Sequence, residues 1–184
     1  MPHPIAQQWL TAFGNVPPVG FLCRRAFADR WLRVHSLPEA KRYAESESEY
    51  WELLRRQNAV ATHVLGDDAK CLLFITRFGE ARDWKAAEEL PLPAPPEHVL
   101  SVEVDGEELQ FFALPVVWRE ASLNELIVAV ADDRTGPILI ANPNRGSIYA
   151  PYDGGADLFL QLSEVAMSAR VMFGPWLSGR EDGL

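Results

Sequence analysis

Apolar residues recur at helical spacing in four segments of the chain. The spacing predicts helices over residues 4–13, 46–65, 123–131 and 164–173. The longest of them opens with an S-x-x-E capping box formed by Ser46 and Glu49, and Gly66 follows its end. Serines stand in the same position before the last two helices, so we expect Ser122 and Ser163 to cap them.

Strands are predicted where apolar residues alternate with polar ones or form short continuous runs. These segments are 30–36, 70–76, the two arms of a hairpin within 98–114, and then 137–141, 146–150 and 156–161. Asp105 and Gly106 supply a two-residue type I′ turn for the hairpin. Residues 21–29 predict a helix or turn that leads into the first strand.

The order of these elements indicates the class of fold. Hairpins dominate and no βαβ series recurs, so we expect an α+β fold with a mostly antiparallel sheet of about six strands and helices packed mainly on one face. A chain of 184 residues suits one globular domain over residues 1–184. The four prolines within 79–97 predict a surface loop inside that domain.

Charge and hydropathy argue against several classes of function. The formal net charge of −9 argues against binding to nucleic acid or to an anionic membrane surface, and it would suit a basic protein partner. The first residues lack the pattern of a signal peptide, and no apolar run approaches the length of a membrane span. Cys23 and Cys71 lie in apolar stretches and are expected to be free buried thiols. We therefore expect a cytoplasmic protein, either a monomer or a homodimer.

Against this acidic background, residues 24–42 gather six arginine and lysine residues and only two acids. His35 ends a predicted strand here, and Arg33 shares its face by the period of two. Such a cluster could bind an anionic ligand, with His35 as acid or base. Alternatively, these cations pair with acids of the same chain, such as Glu39, Glu45, Glu47, Glu49, Asp153 or Asp157.

A second candidate segment is YAPYDGGAD, residues 149–157, which is dense in tyrosine and aspartate for one turn. Asp153 and Asp157 could act as acid and base, although Asp-Gly is also common turn chemistry. The candidate catalytic residues are therefore His35, Asp153 and Asp157. The candidate ligand-binding residues are Arg30, Arg33, His35, Lys41, Arg42, Tyr149, Tyr152 and Asp153. Histidine spacings fit no zinc site, and no nucleotide-binding or hydrolase motif occurs, so neither a metal nor a cofactor is expected.

These two segments resemble those of an uncharacterised bacterial family. The shared blocks are RWxRxHSLPExKRY, here at residues 30–43, and PYDGGAD, here at residues 151–157. The resemblance implies bacterial origin and implies that both blocks belong to one fold. It carries no assigned activity.

Two functions remain open from the sequence. The first is a non-catalytic binding or protein-interaction module, for example an inhibitor or immunity-type protein with an acidic face toward a basic partner. The second is a small enzyme or anion-ligand-binding domain that uses His35 with Arg33 and Lys41, together with Asp153 and Asp157. The second function requires His35 and Asp153 to share a pocket.

Overall fold

The computed structural model of the chain describes residues 3–80 and 90–180. Five α-helices lie in this part of the chain: α1 Pro4–Phe13, α2 Gly20–Ala26, α3 Glu47–Leu65, α4 Asn124–Ala131 and α5 Ser163–Met172. Its strands are β1 Trp31–His35, β2 Ala69–Phe78, β3 Glu97–Val104, β4 Glu107–Trp118, β5 Ile138–Asn142, β6 Ser147–Tyr152 and β7 Gly155–Phe159. Single 3-10 turns stand at Ala28–Arg30, Pro38–Ala40 and Gly174–Trp176.

All seven strands form one sheet in the order β1-β7-β6-β5-β2-β4-β3. Each neighbouring pair is antiparallel, which confirms the α+β class and the antiparallel sheet. The predicted count of about six strands is too low by one. No helix within residues 3–80 and 90–180 has the length and apolar character that a membrane crossing requires.

The helices are divided between two hydrophobic clusters, so the expectation that they pack mainly on one face is not supported. Cys71, Leu73 and Ile75 of β2 belong to the cluster that contains the buried residues of α3, α4 and α5. Leu72 and Phe74 belong to the cluster that contains those of α1 and α2. Successive side chains of a strand point to opposite faces, so the sheet lies between two helical layers.

The predicted capping serines behave differently from one another. The hydroxyl of Ser46 accepts a hydrogen bond from the amide of Glu49 at 3.3 Å and caps α3 as expected. In contrast, α4 and α5 begin without a side-chain cap, so the predicted caps at Ser122 and Ser163 are wrong. The hydroxyl of Ser122 instead accepts from the amide of Arg119 and donates to its carbonyl.

The hairpin between β3 and β4 forms at the predicted turn. Asp105 and Gly106 both have positive φ, at 53° and 84°, as a type I′ turn requires. The proline-rich segment before β3 falls partly outside the described residues, because 81–89 are not among them. Residues 90–96 contain no helix or strand, and β3 begins at Glu97.

Strand β1 forms one edge of the sheet, and side chains cover its outer side. Arg170 of α5 donates a hydrogen bond to the carbonyl of Trp31 at 2.7 Å. Arg56 of α3 donates to the carbonyl of His35 at 3.3 Å. Between these two contacts, Leu177 forms an isolated antiparallel bridge with Val34. The segment after α5 thus packs along the edge strand.

Candidate functional site

The two sequence blocks meet as neighbouring strands. In the pairing of β1 with β7, Arg33 stands opposite Asp157 and His35 stands opposite Gly155. A side chain at Gly155 would place its Cβ 2.0 Å from the carbonyl oxygen of Val34, so only glycine allows the strands this approach. Both blocks therefore contribute to one region of the fold.

Arg33 and Asp157 form a bidentate ion pair across these strands. The Arg33 Nε lies 2.8 Å from Oδ1 of Asp157, and its Nη2 lies 2.9 Å from Oδ2. The indole N–H of Trp31 donates to the same Oδ1 at 2.9 Å. The Arg33 and Asp157 side chains are 17% and 8% exposed, so the pair is largely shielded from water. The Asp157 carboxylate is thus committed to three donors.

Tyr152 lies beside this pair, with the Arg33 guanidinium 4.7 Å from the centre of its ring. Burial raises the pKa of the Tyr152 hydroxyl to about 12. The phenol is therefore neutral over the physiological range, and its contribution here is a cation–π contact.

The other predicted cations also contact groups of their own chain. Arg42 forms an ion pair with Asp153, and the hydroxyl of Tyr43 donates to the same carboxylate at 3.0 Å. Lys41 lies 2.8 Å from Glu45 and 2.7 Å from Glu49. Such ion pairs are expected if the cations neutralise carboxylates of the same chain. They leave less positive charge available to bind an anionic ligand.

Arg30 is held by backbone groups. Its Nη1 lies within 3.2 Å of the carbonyl oxygens of Gly146, Leu160 and Gln161. Its guanidinium also lies 4.3 Å from the ring centre of Phe27. This side chain ties the start of β1 to both ends of the β6–β7 hairpin, which is a structural role.

His35 lines a cavity of about 350 Å³ together with Pro38, Arg56 and Trp176. Burial, and then the charges of Arg33 and Arg56, lower the pKa of its imidazole. Asp153 and Asp157 line a different cavity, in whose wall His35 has no part. The structure therefore does not bring His35 and Asp153 into a shared pocket.

Tyr149 belongs to the core and not to a site. It is fully buried in the cluster with α3, α4 and α5, which lies on the opposite face from Tyr152. Its hydroxyl donates to the side-chain oxygen of Gln57 at 2.6 Å, and burial raises its pKa. The tyrosine that sequence reasoning grouped with Asp153 thus serves packing.

The cavity beside Asp153 has a volume of about 320 Å³. Its wall includes Phe21 at the start of α2, Asp133 and Thr135 between α4 and β5, and Tyr152 at the end of β6. Neither Phe21 nor Asp133 was among the candidate residues predicted from the sequence. The one available signal was the pair of adjacent acids after a helix, where negative charge is unfavourable.

A second charged surface lies at the tip of the β3–β4 hairpin, which we call the acidic hairpin, residues 103–108. Glu103, Asp105 and Glu107 are exposed there, and Glu103 pairs directly with Glu108 across the strands. No salt bridge of the described residues involves Glu103, Asp105 or Glu107. Within residues 3–80 and 90–180, these three carboxylates therefore have no partner in a salt bridge, and the surface is negative.

The two cysteine thiols are further candidates for reactivity, and both lie in the core. Cys23 and Cys71 are free and buried, and burial raises their pKa values to about 12 and about 11, respectively. Both thiols are therefore protonated and unreactive at neutral pH. Among residues 3–80 and 90–180, no three His, Cys, Asp or Glu side chains are grouped as a metal ion would need.

Comparison with known proteins yields one family. The family model described as "Domain of unknown function (DUF3885)" matches residues 19–181, which include every described strand and four of the five described helices. No curated protein and no solved structure matches the chain. The chain belongs to the DUF3885 family.

Proposed function

We propose that this protein is a non-catalytic protein-binding module, and that the acidic hairpin is the surface that receives a basic partner. The observation that carries the proposal is the set of three exposed carboxylates at the tip of the hairpin, Glu103, Asp105 and Glu107, which form no salt bridge with any other described residue. Such a module could act as an inhibitor or immunity-type protein toward a basic protein.

Folding alone does not favour this arrangement of charge. Like charges directly opposite each other on antiparallel strands are destabilising. Charged side chains on an edge strand also hinder its pairing with the sheet of another molecule. A single cation would have the same effect, so this role does not require several carboxylates. Exposed carboxylates such as Glu103, Asp105 and Glu107 instead speed the encounter with a positively charged partner.

The competing proposal of an anion-binding enzyme has weaker support. Arg33, Lys41 and Arg42 each form ion pairs with carboxylates of the chain itself. His35 lines a cavity that is separate from the one beside Asp153. Among the described residues, the exposed charges outside ion pairs are mainly negative, which favours a basic partner over an anionic ligand.

A charge-matched pair of variants tests the proposal. One carries Glu103→Gln, Asp105→Asn and Glu107→Gln, and the control carries Glu47→Gln, Asp67→Asn and Glu120→Gln. Both lose three exposed carboxylates, so they have the same net charge. Asparagine at position 105 tolerates the positive φ of the turn.

Titration calorimetry with a lysine-rich peptide measures the binding. We expect the hairpin variant to lose at least about tenfold in affinity, with a reduced dependence on salt, and the control to retain most of its affinity. Equal weakening of the two variants would show that net charge alone drives the binding, and it would refute the assignment to the hairpin.

A further inference from the structure

The cavity beside Asp153 has the size and lining of a small-molecule site. Its volume of about 320 Å³ lies at the lower end of the range of ligand pockets, about 300–1,000 Å³. It lies between the start of α2, the loop after α4 and the end of the β6–β7 hairpin. Apolar residues form much of its wall, including Phe21, Val130, Ile138 and Ala150. Such a wall accommodates the apolar body of a ligand.

Five charged side chains line the same cavity, and their balance is negative. Four of them form the two ion pairs Arg33–Asp157 and Arg42–Asp153. The fifth is Asp133, an exposed residue whose side chain makes no hydrogen bond or salt bridge with any residue that the structure describes. The adjacent Asp132 differs, because its carboxylate accepts from Tyr50 at 2.8 Å and from Arg134. Asp133 therefore carries the one charge of the described cavity wall that lies outside a direct ion pair, and it also acts electrostatically on Arg42.

We propose that this cavity binds a small organic cation, a primary ammonium compound with an apolar body, and that Asp133 holds its ammonium group. The carboxylate of Asp133 and the aromatic ring of Phe21 are groups that attract an organic cation. A divalent metal ion is a poorer match, because it requires about six oxygen ligands and gains nothing from an apolar wall. The inference is independent of the acidic hairpin, which lies toward the opposite edge of the sheet.

Asp133 allows a clean test because of its backbone. Its φ of 55° lies in the left-handed region, which aspartate and asparagine both tolerate. Asp133→Asn therefore removes the charge without disturbing the loop. Asp67→Asn is the matched control, since Asp67 is an exposed loop aspartate outside the cavity wall.

The experiment titrates the 15N-labelled protein with phenethylammonium and, separately, with 3-phenylpropionate, which has a similar size and opposite charge. We expect saturable shifts at Phe21, Thr135 and Tyr152 with the ammonium compound and much weaker binding of the carboxylate. Asp133→Asn should weaken ammonium binding about tenfold, which corresponds to the loss of one charge-assisted hydrogen bond. Asp67→Asn should leave it unchanged.

Three outcomes would overturn the inference. They are the absence of saturable shifts in the cavity, equal or tighter binding of 3-phenylpropionate, and equal weakening by Asp133→Asn and Asp67→Asn. Shifts confined to residues 103–108 would assign the cation to the acidic hairpin and would also count against the cavity. A negative result in the cavity leaves the lysine-peptide experiment on the hairpin unaffected, so the two proposals fail separately.

Discussion

The ion pair between Arg33 and Asp157 is enclosed by Trp31 and Tyr152 on the face that carries α1 and α2. A shielded pair of this kind recovers its desolvation cost only when all its hydrogen bonds form. The geometry meets that condition, with both guanidinium contacts below 3 Å and a third donor from the indole. Replacement of one residue of the pair should therefore destabilise the fold much more than replacement of both.

We expect Asp157→Leu to lower the free energy of unfolding by about 3–5 kcal/mol, because it leaves the Arg33 charge and the Trp31 N–H without their acceptor. The double variant Arg33→Met/Asp157→Leu should be less destabilised than Asp157→Leu alone. Urea unfolding of the two single variants and the double variant measures the coupling. A double variant as unstable as the sum of the single variants would show that the two side chains act independently.

Glu52 offers a test of pH dependence. Hydrogen bonds from Arg55, and also from Arg56, lower the pKa of its carboxyl from 4.5 to about 2. A carboxyl group whose pKa is lower in the folded state than in the unfolded state stabilises the protein at pH values above the unfolded-state pKa. This contribution is lost as the pH falls through the folded-state pKa. The stability difference between the wild type and Glu52→Gln should therefore shrink between about pH 4.5 and about pH 2. A difference that stays constant across this interval in urea unfolding would contradict the assignment.

At the scale of elements, the three helices that follow predicted capping serines begin in different ways. Ser46 caps α3 through a hydrogen bond to the amide of Glu49, whereas α5 starts without such a bond at Ser163. We expect Ser46→Ala to cost about 1 kcal/mol and Ser163→Ala to change stability by less than about 0.5 kcal/mol. Thermal unfolding of the two variants compares them directly, and equal losses would show that the cap does not explain the effect.

Local pattern predicted the type and approximate position of most described elements. The bounds of α1 and the turn at Asp105 and Gly106 follow from capping, φ preference and periodicity, which are properties of adjacent residues. The start of α4 could not be predicted in this way. There, the Asn58 side chain of α3 donates to Oδ1 of Asn124 and accepts from the amide of Ala121, both at 2.8 Å, and these are tertiary contacts that a local capping pattern does not report.

At the scale of the whole molecule, the prediction that helices pack mainly on one face overlooked a signal in the sequence. The run CLLFI in β2 is apolar without alternation, and a strand of that kind is buried on both faces. Both faces then need a cover, which α1 and α2 provide on one side and the later helices on the other. Composition and the number of hairpins alone do not indicate the second layer of helices.

The candidate site was predictable only in part. Opposite charges in the two blocks pointed to ion pairs between them, but register between strands more than a hundred residues apart depends on tertiary packing. The cavity also depends on Phe21 and Asp133, which come from segments of ordinary composition and meet only in the folded chain. The sequence therefore predicted residues of the site and not its shape.

The covered outer side of β1 has a consequence for self-assembly. An exposed edge strand is a template on which another chain can add a strand, and repeated addition leads to fibrils. Here an incoming strand would have to displace two guanidinium groups and the Leu177 bridge before it could pair. The short segment after α5 thus protects this edge against polymerisation, and heating or proteolysis that releases it should expose a site of aggregation.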